Sequence, residues 1–426
     1  MNWNRLILPA LLALSPPALA ETLDAAWAAA LSSHRQIAAA GAMQEAAEYE
    51  LERARGGRLP QLGLMSGYTW LDEAPGFSLG PITTDPIFDG DAFANAGVQV
   101  QVPLYVGGGV GARIDAAEFG AAAADGQLAT VIQDTKLGVA ERYIGVLRAE
   151  RAVAVANSYV TSLRTHTENA RNRYEFGDVP QNDYLAASVT LADAEQSYLQ
   201  AENNLDYARA AYNRFLGRNL ADTVSLDPTL GIDGLIPAGA TLDELVRNAR
   251  LNRTELDALD AQVKALESQA ESARAAARPQ LALTGGYMYQ ENAFLTDDEF
   301  WMAGITFNWN LFDGGQSRRQ SDAIERKAIA IGHNRADYQS MIDLQVRRAW
   351  NDRGEAQSRQ RVAETAVEQA SENLRVVRNR YEAGASTNAE VLDAEALREQ
   401  SLSNLDDARF AVALATLRLA RAVGVL

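Results

Sequence analysis

The chain writes one ordered series of segments twice, and this duplication limits its fold more than any other feature. "TLDAAW" at Thr22 answers "TLDELV" at Thr241, and "LPQLGLMSGYTW" from Leu59 answers "RPQLALTGGYMY" from Arg278, both 219 residues apart. "VQVPLYVGG" ending at Gly108 answers "ITFNWNLFDGG" ending at Gly315 at an offset of 207. The heptamers "RNRYEFG" (171–177) and "RNRYEAG" (378–384) keep that offset, as do "FLG" and "AVG" ending at Gly217 and Gly424. The offset changes in one place, where the stretch from Tyr68 to Gly97 is 12 residues longer than that from Tyr287 to Gly304. Such a chain is expected to fold as two structural repeats, residues 21–217 and 241–426, with a linker at 218–240.

Each copy opens on a segment rich in Ala, Glu, Gln, Leu and Arg, expected to be a helix from Leu23 to about Arg55 and from Leu242 to about Arg278. Thr241 and Glu244 supply a capping box, and Pro60 and Pro279 stop the helices. Period-two alternation follows. Leu62, Leu64, Tyr68 and Trp70 oppose Gln61, Gly63, Gly67 and Thr69, and Val98, Val100, Val102 and Leu104 oppose Gln99 and Gln101. Leu281, Leu283, Tyr287 and Tyr289 oppose Ala282, Thr284 and Gln290, and Trp301, Ala303, Ile305, Phe307 and Trp309 oppose Met302, Thr306, Asn308 and Asn310. These read as four strands of about ten residues, apolar on one face, in hairpins at about 61–104 and about 280–311.

Glycine corners end both hairpins, at Gly107–Gly111 and at Asp313–Gly315. No Gly-Lys-Ser/Thr follows, so a phosphate loop is excluded and the glycines are expected to bend strand into helix. From about Ala112 to Arg173 and from Ser317 to Arg380 there is no proline, which predicts two helices of about 60 residues, about 90 Å long. Tips at about 174–183 and about 381–390 then lead into return helices at about Asn182–Leu216 and Ala389–Val423. Gly177 and Gly384 are placed to end the long helices. Asp178, with Gln181 three residues on and Pro180 in the first turn, is expected to cap one return helix, and Thr387 with Glu390 the other.

The first twenty residues, "MNWNRLILPALLALSPPALA", carry Arg5, an apolar run from Leu6 to Leu14, Pro16 and Pro17, and the small-x-small triplet Ala18, Leu19, Ala20. They read as a secretory signal peptide (1–20) cleaved before Glu21. Its removal takes Arg5 away and leaves 38 basic against 56 acidic side chains, a formal charge of −18. That balance argues against nucleic acid as a partner and suits a cation-attracting surface or lumen. The chain has no cysteine, which excludes disulfides, thiolate catalysis and thiolate metal sites. His34, His166 and His333 are isolated, with no triad or metal spacing, so neither an enzyme, a metal site nor a cofactor is expected.

Beyond residue 20 no uncharged apolar run approaches the roughly 18 residues of a membrane helix, so any crossing is made by strands. Four strands leave two open edges, which hydrocarbon does not tolerate. Two chains would close a barrel of eight strands, too narrow for a water path, and three would close one of twelve. A periplasmic coiled-coil scaffold or adhesin is the alternative reading, and it gives the strands no role.

This constellation resembles the TolC-like outer-membrane efflux protein family, the outer membrane factors. The resemblance is carried by the paired "TLDxx(W/V)" openings, the "PQL.L..GY" and "PL(Y)..GG" strand signatures, the heptamers and "EVLDA" at Glu390–Ala394, and covers residues 21–426. It implies a mixed α and β membrane protein: a homotrimer sharing a 12-stranded outer-membrane β-barrel, four strands per chain, continued by a long periplasmic α-helical barrel. It implies location in the outer membrane of a Gram-negative bacterium. The partners implied are a periplasmic adaptor (membrane fusion) protein and, through it, a proton-driven or ATP-driven inner-membrane pump, for efflux or type I secretion. The same resemblance places an acidic selectivity ring at Glu390 and Asp393 and a constricting tyrosine to aspartate link at Tyr381 and Asp183. Arg171, Arg173, Gly177, Arg378, Arg380 and Gly384 fall on the adaptor-facing tips of an iris-like gate. Ser386 stands where the family has a constricting arginine, with Arg378 or Arg380 as substitutes. Read as residues alone, Glu390 serves equally as a helix cap, the tyrosines as turn packing and the arginines as helix C-terminal charges.

Overall fold

In the computed structural model residues 20–73, 76–79, 82–86, 88, 90–292 and 296–426 are described. The signal peptide expected at 1–20 therefore lies, apart from Ala20, outside the described residues. The elements run α1 (Leu23–Ser33), α2 (Arg35–Gly56), β1 (Gln61–Trp70), β2 (Gly76–Leu79), β3 (Ile82–Pro86), β4 (Ala92–Val106), α3 (Gly109–Glu175) and α4 (Gln181–Phe215). Then follow α5 (Leu242–Asn252), α6 (Thr254–Ala275), β5 (Gln280–Gln290), β6 (Glu299–Asn308), α7 (Gln316–Glu382) and α8 (Asn388–Val423). No described helix is long and apolar enough to cross a membrane.

Each opening segment, expected as one helix, is two. His34 (ψ 122°) and Arg253 (ψ 107°) are extended although neither site has Gly or Pro. Tertiary bonds account for the breaks. The Ser33 hydroxyl donates to the Leu216 carbonyl (2.8 Å), and the buried Arg253 guanidinium donates to the Ala422 carbonyl and to Gln345 Oε1, both at 3.1 Å. Helix propensity, worth tenths of a kcal/mol per residue, gives way to these tertiary bonds, of which those of Arg253 satisfy a buried guanidinium.

Contacts divide the chain into two compact units. One holds Ala40–Leu128 and Thr254–Tyr338 and contains all the strands. Its main sheet is antiparallel in the order β1-β4-β5-β6. Cross-strand pairs build one apolar face: Leu62 opposite Val100, Leu64 opposite Val98, Val98 opposite Tyr287, Tyr287 opposite Trp301, Leu283 opposite Ile305 and Leu281 opposite Phe307. The other face carries Gln61, Gln99, Gln101, Thr284 and Thr306 with several glycines. Such pairing of bulky apolar residues across neighbouring strands is what fixes register. A bulge between Pro103 and Tyr105 sets Tyr105, not Leu104, opposite Leu281. Proline within a sheet is found at bulges of this kind. Among the described residues β1 and β6 each lack a neighbour on their outer side.

Aromatic rings gather at both ends of this face. Tyr68 meets Trp70 edge-on at 4.7 Å and Tyr287 meets Trp301 at 5.0 Å at one end, while Phe307 and Trp309 lie exposed at the other. The 12 extra residues of the first hairpin enter a separate two-stranded sheet, β2 with β3, which the period-two pattern did not predict. β6 ends at Asn308, so Trp309 lies beyond the strand and donates its indole N–H to the Ala277 carbonyl (3.2 Å). At the corners Gly107 and Gly108 (φ 62° and 85°) and Gly314 and Gly315 (φ 66° and 82°) turn strand into helix.

The second unit holds the residues up to Ala39, Ala129–Arg253 and Gln339–Leu426. Its chain entry is pinned at Glu21. Both Oε atoms accept from Arg218 (2.6 and 2.8 Å), Oε2 also accepts from the Tyr212 hydroxyl (3.0 Å), and the Glu21 carbonyl accepts from the Tyr143 hydroxyl (2.6 Å). Burial works to raise the Glu21 carboxyl, but hydrogen bonding and the charge of Arg218 prevail and hold it below its ordinary value. Burial pushes the Tyr143 phenol up to about 12.

Candidate functional site

The two heptamers end α3 and α7 in the same way. Gly177 (φ 81°) and Gly384 (φ 74°) take the left-handed conformation that glycine adopts without strain. Asp178 N donates to Arg173 O (2.8 Å) and Gly177 N to Tyr174 O (3.0 Å); Ala385 N donates to Arg380 O (2.7 Å) and Gly384 N to Tyr381 O (3.0 Å). Both are Schellman closures, which satisfy orphan carbonyls at the helix end.

The return helices begin differently from each other, and the first differs from expectation. α4 has Pro180 at its N-cap with no side-chain cap, so the bond expected from Asp178 is not formed; proline's fixed φ starts the helix instead. At α8 the Thr387 hydroxyl accepts from Glu390 N (3.3 Å), the cap expected there. The Glu390 carboxylate accepts in turn from the hydroxyls of Ser386 (2.6 Å) and Thr387 (3.2 Å). The Ser386 bond, against a smaller opposing effect of burial and with help from Thr387 and Arg380, keeps the Glu390 carboxyl below its ordinary range. Ser386, standing at the position of the expected arginine, thus holds an exposed carboxylate at the tip. Asp393, one turn on, is also exposed, so the two acids share a helix face.

Equivalent heptamer residues are used in unlike ways. Tyr174 is 38% exposed and stacks on Tyr184 (6.4 Å, 6° between planes), whereas Tyr381 is 6% exposed among Leu374, Val377, Val391 and Ala394. Arg171 pairs with Glu175 on its own helix (2.9 Å), whereas Arg378 reaches Ser162 and the buried Glu395. Arg173 lies over the Tyr381 ring (4.8 Å) and donates to the Tyr381 carbonyl (2.9 Å), whereas Arg380 donates to Ala385 O (3.0 Å). Arg173 therefore ties the first tip to the second.

Tyr381 and Asp183 are brought near each other but not bonded. The Tyr381 hydroxyl is buried without a hydrogen-bond partner among the described residues. Burial raises its pKa, Arg173 opposes, and the Asp183 charge raises it further. Three further residues escaped the sequence reading, Asn388 and Glu395, both buried, and Phe176, 85% exposed at the first tip; His166, an isolated helical histidine that would be expected in solvent, is buried as well. Phe176 was legible as the one apolar difference between the heptamers, which read Phe176 against Ala383. Asn388 and Glu395 sit at unremarkable helical positions and carried no signal. Arg173 and Arg378 border a groove of about 1260 Å³ lined also by Thr161, Thr165, Asn169 and Arg375.

With this geometry in place, comparison with known proteins is decisive: residues 27–218 and 245–425 match the protein family described as "Outer membrane efflux protein". The chain belongs to that family. The outer membrane protein TolC of Vibrio cholerae is 26% identical to it, across 97% of this chain and 93% of its own. The alkaline protease secretion protein AprF of Pseudomonas aeruginosa is 24% identical, across 93% and 83%. The crystal structure of CusC superposes with a TM-score of 0.81 at 18% identity, covering 95% of this chain and 92% of CusC, which is agreement of fold. As an outer membrane efflux protein, the chain is an outer-membrane channel for efflux or secretion that extends into the periplasm.

Proposed function

We propose that three copies of the chain share one twelve-stranded barrel, continued by a helical barrel, and form the exit duct of a tripartite efflux or type I secretion system. Its periplasmic end is closed like an iris by the hairpin tips. One observation carries the reading: a four-stranded sheet with an apolar face across its strands and, among the described residues, unpaired edges at β1 and β6. An open edge in hydrocarbon leaves backbone groups unsatisfied, at several kcal/mol each. Three such sheets satisfy every edge and leave room for water. The two-repeat reading is supported by paired helix lengths, 11 residues in α1 and α5, 22 in α2 and α6, and 67 in α3 and α7. A scaffold or adhesin leaves that sheet without a purpose. Native mass spectrometry of the detergent-solubilised protein tests the assembly. Three chains per particle are expected, and a stable monomer or dimer that still conducts would overturn it.

The exposed Phe176, with Arg171 and Arg380 beside the tips, offers a partly apolar, basic surface to a periplasmic adaptor, with the polar groove alongside. Glu390 and Asp393, repeated by symmetry, would make a ring that concentrates cations and repels anions. Glu390→Ala with Asp393→Ala is expected to lower cation selectivity and weaken block by multivalent cations in planar bilayers. Unchanged reversal potentials would remove these acids from the pathway.

A further inference from the structure

One amide at the tips touches three helices. Asn388, 4% exposed in the first turn of α8, donates through Nδ2 to the Asp183 carbonyl of α4 (3.1 Å) and accepts through Oδ1 from His166 Nε2 of α3 (2.7 Å). Because Nδ2 is committed to a carbonyl, Oδ1 faces the imidazole, and the neutral ring must carry its proton on Nε2. Asn388 is not needed to cap its own helix, since Thr387 does that. Burying an amide and an imidazole in this way is costly unless both are hydrogen-bonded, and each finds its partner only on the other hairpin.

We propose that the His166, Asn388 and Asp183-carbonyl chain is the latch that fastens the second hairpin to the first in the closed tip, with Asn388 as its positioning residue. This rests on the reading that the tips form the gate. It goes beyond the tyrosine and aspartate pair, which are not bonded to each other here.

The latch is also placed to respond to acid. His166 is faced by Asn388 and Glu395 from α8 and by Arg378 and the Tyr381 ring (5.5 Å) from α7, with Arg173 beyond that ring. Burial, with the Arg378 charge, holds the imidazole below its ordinary value, against the Asn388 bond and the Glu395 charge that work to raise it. A depressed histidine pKa means that the closed tip favours the neutral ring. Closure is then fully present above the ordinary value of about 6.5 and is lost progressively as pH falls below it.

The full chain, reconstituted in planar lipid bilayers, supplies the test. Asn388→Ala removes one buried and one half-buried hydrogen bond and is expected to raise the open fraction about tenfold at about pH 7.5. Asn388→Asp, which still accepts from His166 but cannot donate to Asp183, should lie between Asn388→Ala and the parent. Acidification to about pH 5.5 should open the parent, and His166→Gln, which keeps an N–H donor but cannot titrate, should flatten that response. Tyr381→Ala, which empties the packed centre of the tip, serves as the reference for any gate located there. If it raises conductance while Asn388→Ala matches the parent, the latch is wrong and the gate stands. If neither these substitutions nor acid changes conductance, the tips are not the gate and both readings fall.

Discussion

An Ile305→Arg chain is expected to be made and exported but not to assemble in the outer membrane, while Thr306→Arg, one residue along the same strand, assembles. Ile305 lies near the middle of β6 on the face shared with Leu283, Tyr287 and Trp301, and Thr306 lies on the face shared with Ala282 and Thr284. An arginine facing the centre of a bilayer costs about 2–4 kcal/mol in a barrel, and three chains would incur it three times. On the water side the same side chain is hydrated and costs little. Outer-membrane fractionation combined with resistance of the unheated complex to denaturing electrophoresis reads the outcome. Assembly of Ile305→Arg with failure of Thr306→Arg would mean that the apolar face lines the interior.

Arg378→Ala is expected to loosen the second tip by about 3 kcal/mol, the low end for breaking a buried pair, because Arg378 itself is 42% exposed. Its partner Glu395 is 1% exposed, and one of its oxygens already lacks a hydrogen-bond partner among the described residues. Among the described residues, the carboxylate without the guanidinium keeps only Ser162, at 3.0 Å. Removing both charges, as Arg378→Met with Glu395→Met, should recover most of the loss, since an apolar pair of similar volume carries no desolvation cost. Limited proteolysis at the tip reports the effect, with rapid cleavage of the single variant and near-parental resistance of the double one. Equal resistance of Arg378→Ala and the parent would show that the pair contributes nothing to closure.

The parts legible in the sequence were those set by local rules. Proline ended the opening helices, glycine ended the long ones, and period-two alternation marked the four strands of the main sheet, because each of these signals acts within a few residues. What escaped was set at a distance. Nothing near His34 or Arg253 breaks a helix; the breaks follow from bonds to Leu216, Gln345 and Ala422. The bulge beside Pro103 moved the apolar face from Leu104 to Tyr105, a shift visible only against β5. At the tips the heptamers announced a turn but not its use. Tyr381 is buried among Leu374, Val377, Val391 and Ala394 with Arg173 over its ring, whereas Tyr174 stacks on Tyr184 and stays 38% exposed. His166 and Asn388 are 222 positions apart, and no spacing rule joins them.

The edges of β1 and β6, unpaired among the described residues, also bear on inheritance. If every barrel is completed by strands from three chains, one faulty chain spoils the whole ring. A cell making sound and faulty copies in equal amounts would keep only about one fully sound assembly in eight. Edge-strand lesions in this gene would therefore behave as dominant, while lesions that stop the chain being made at all would stay recessive.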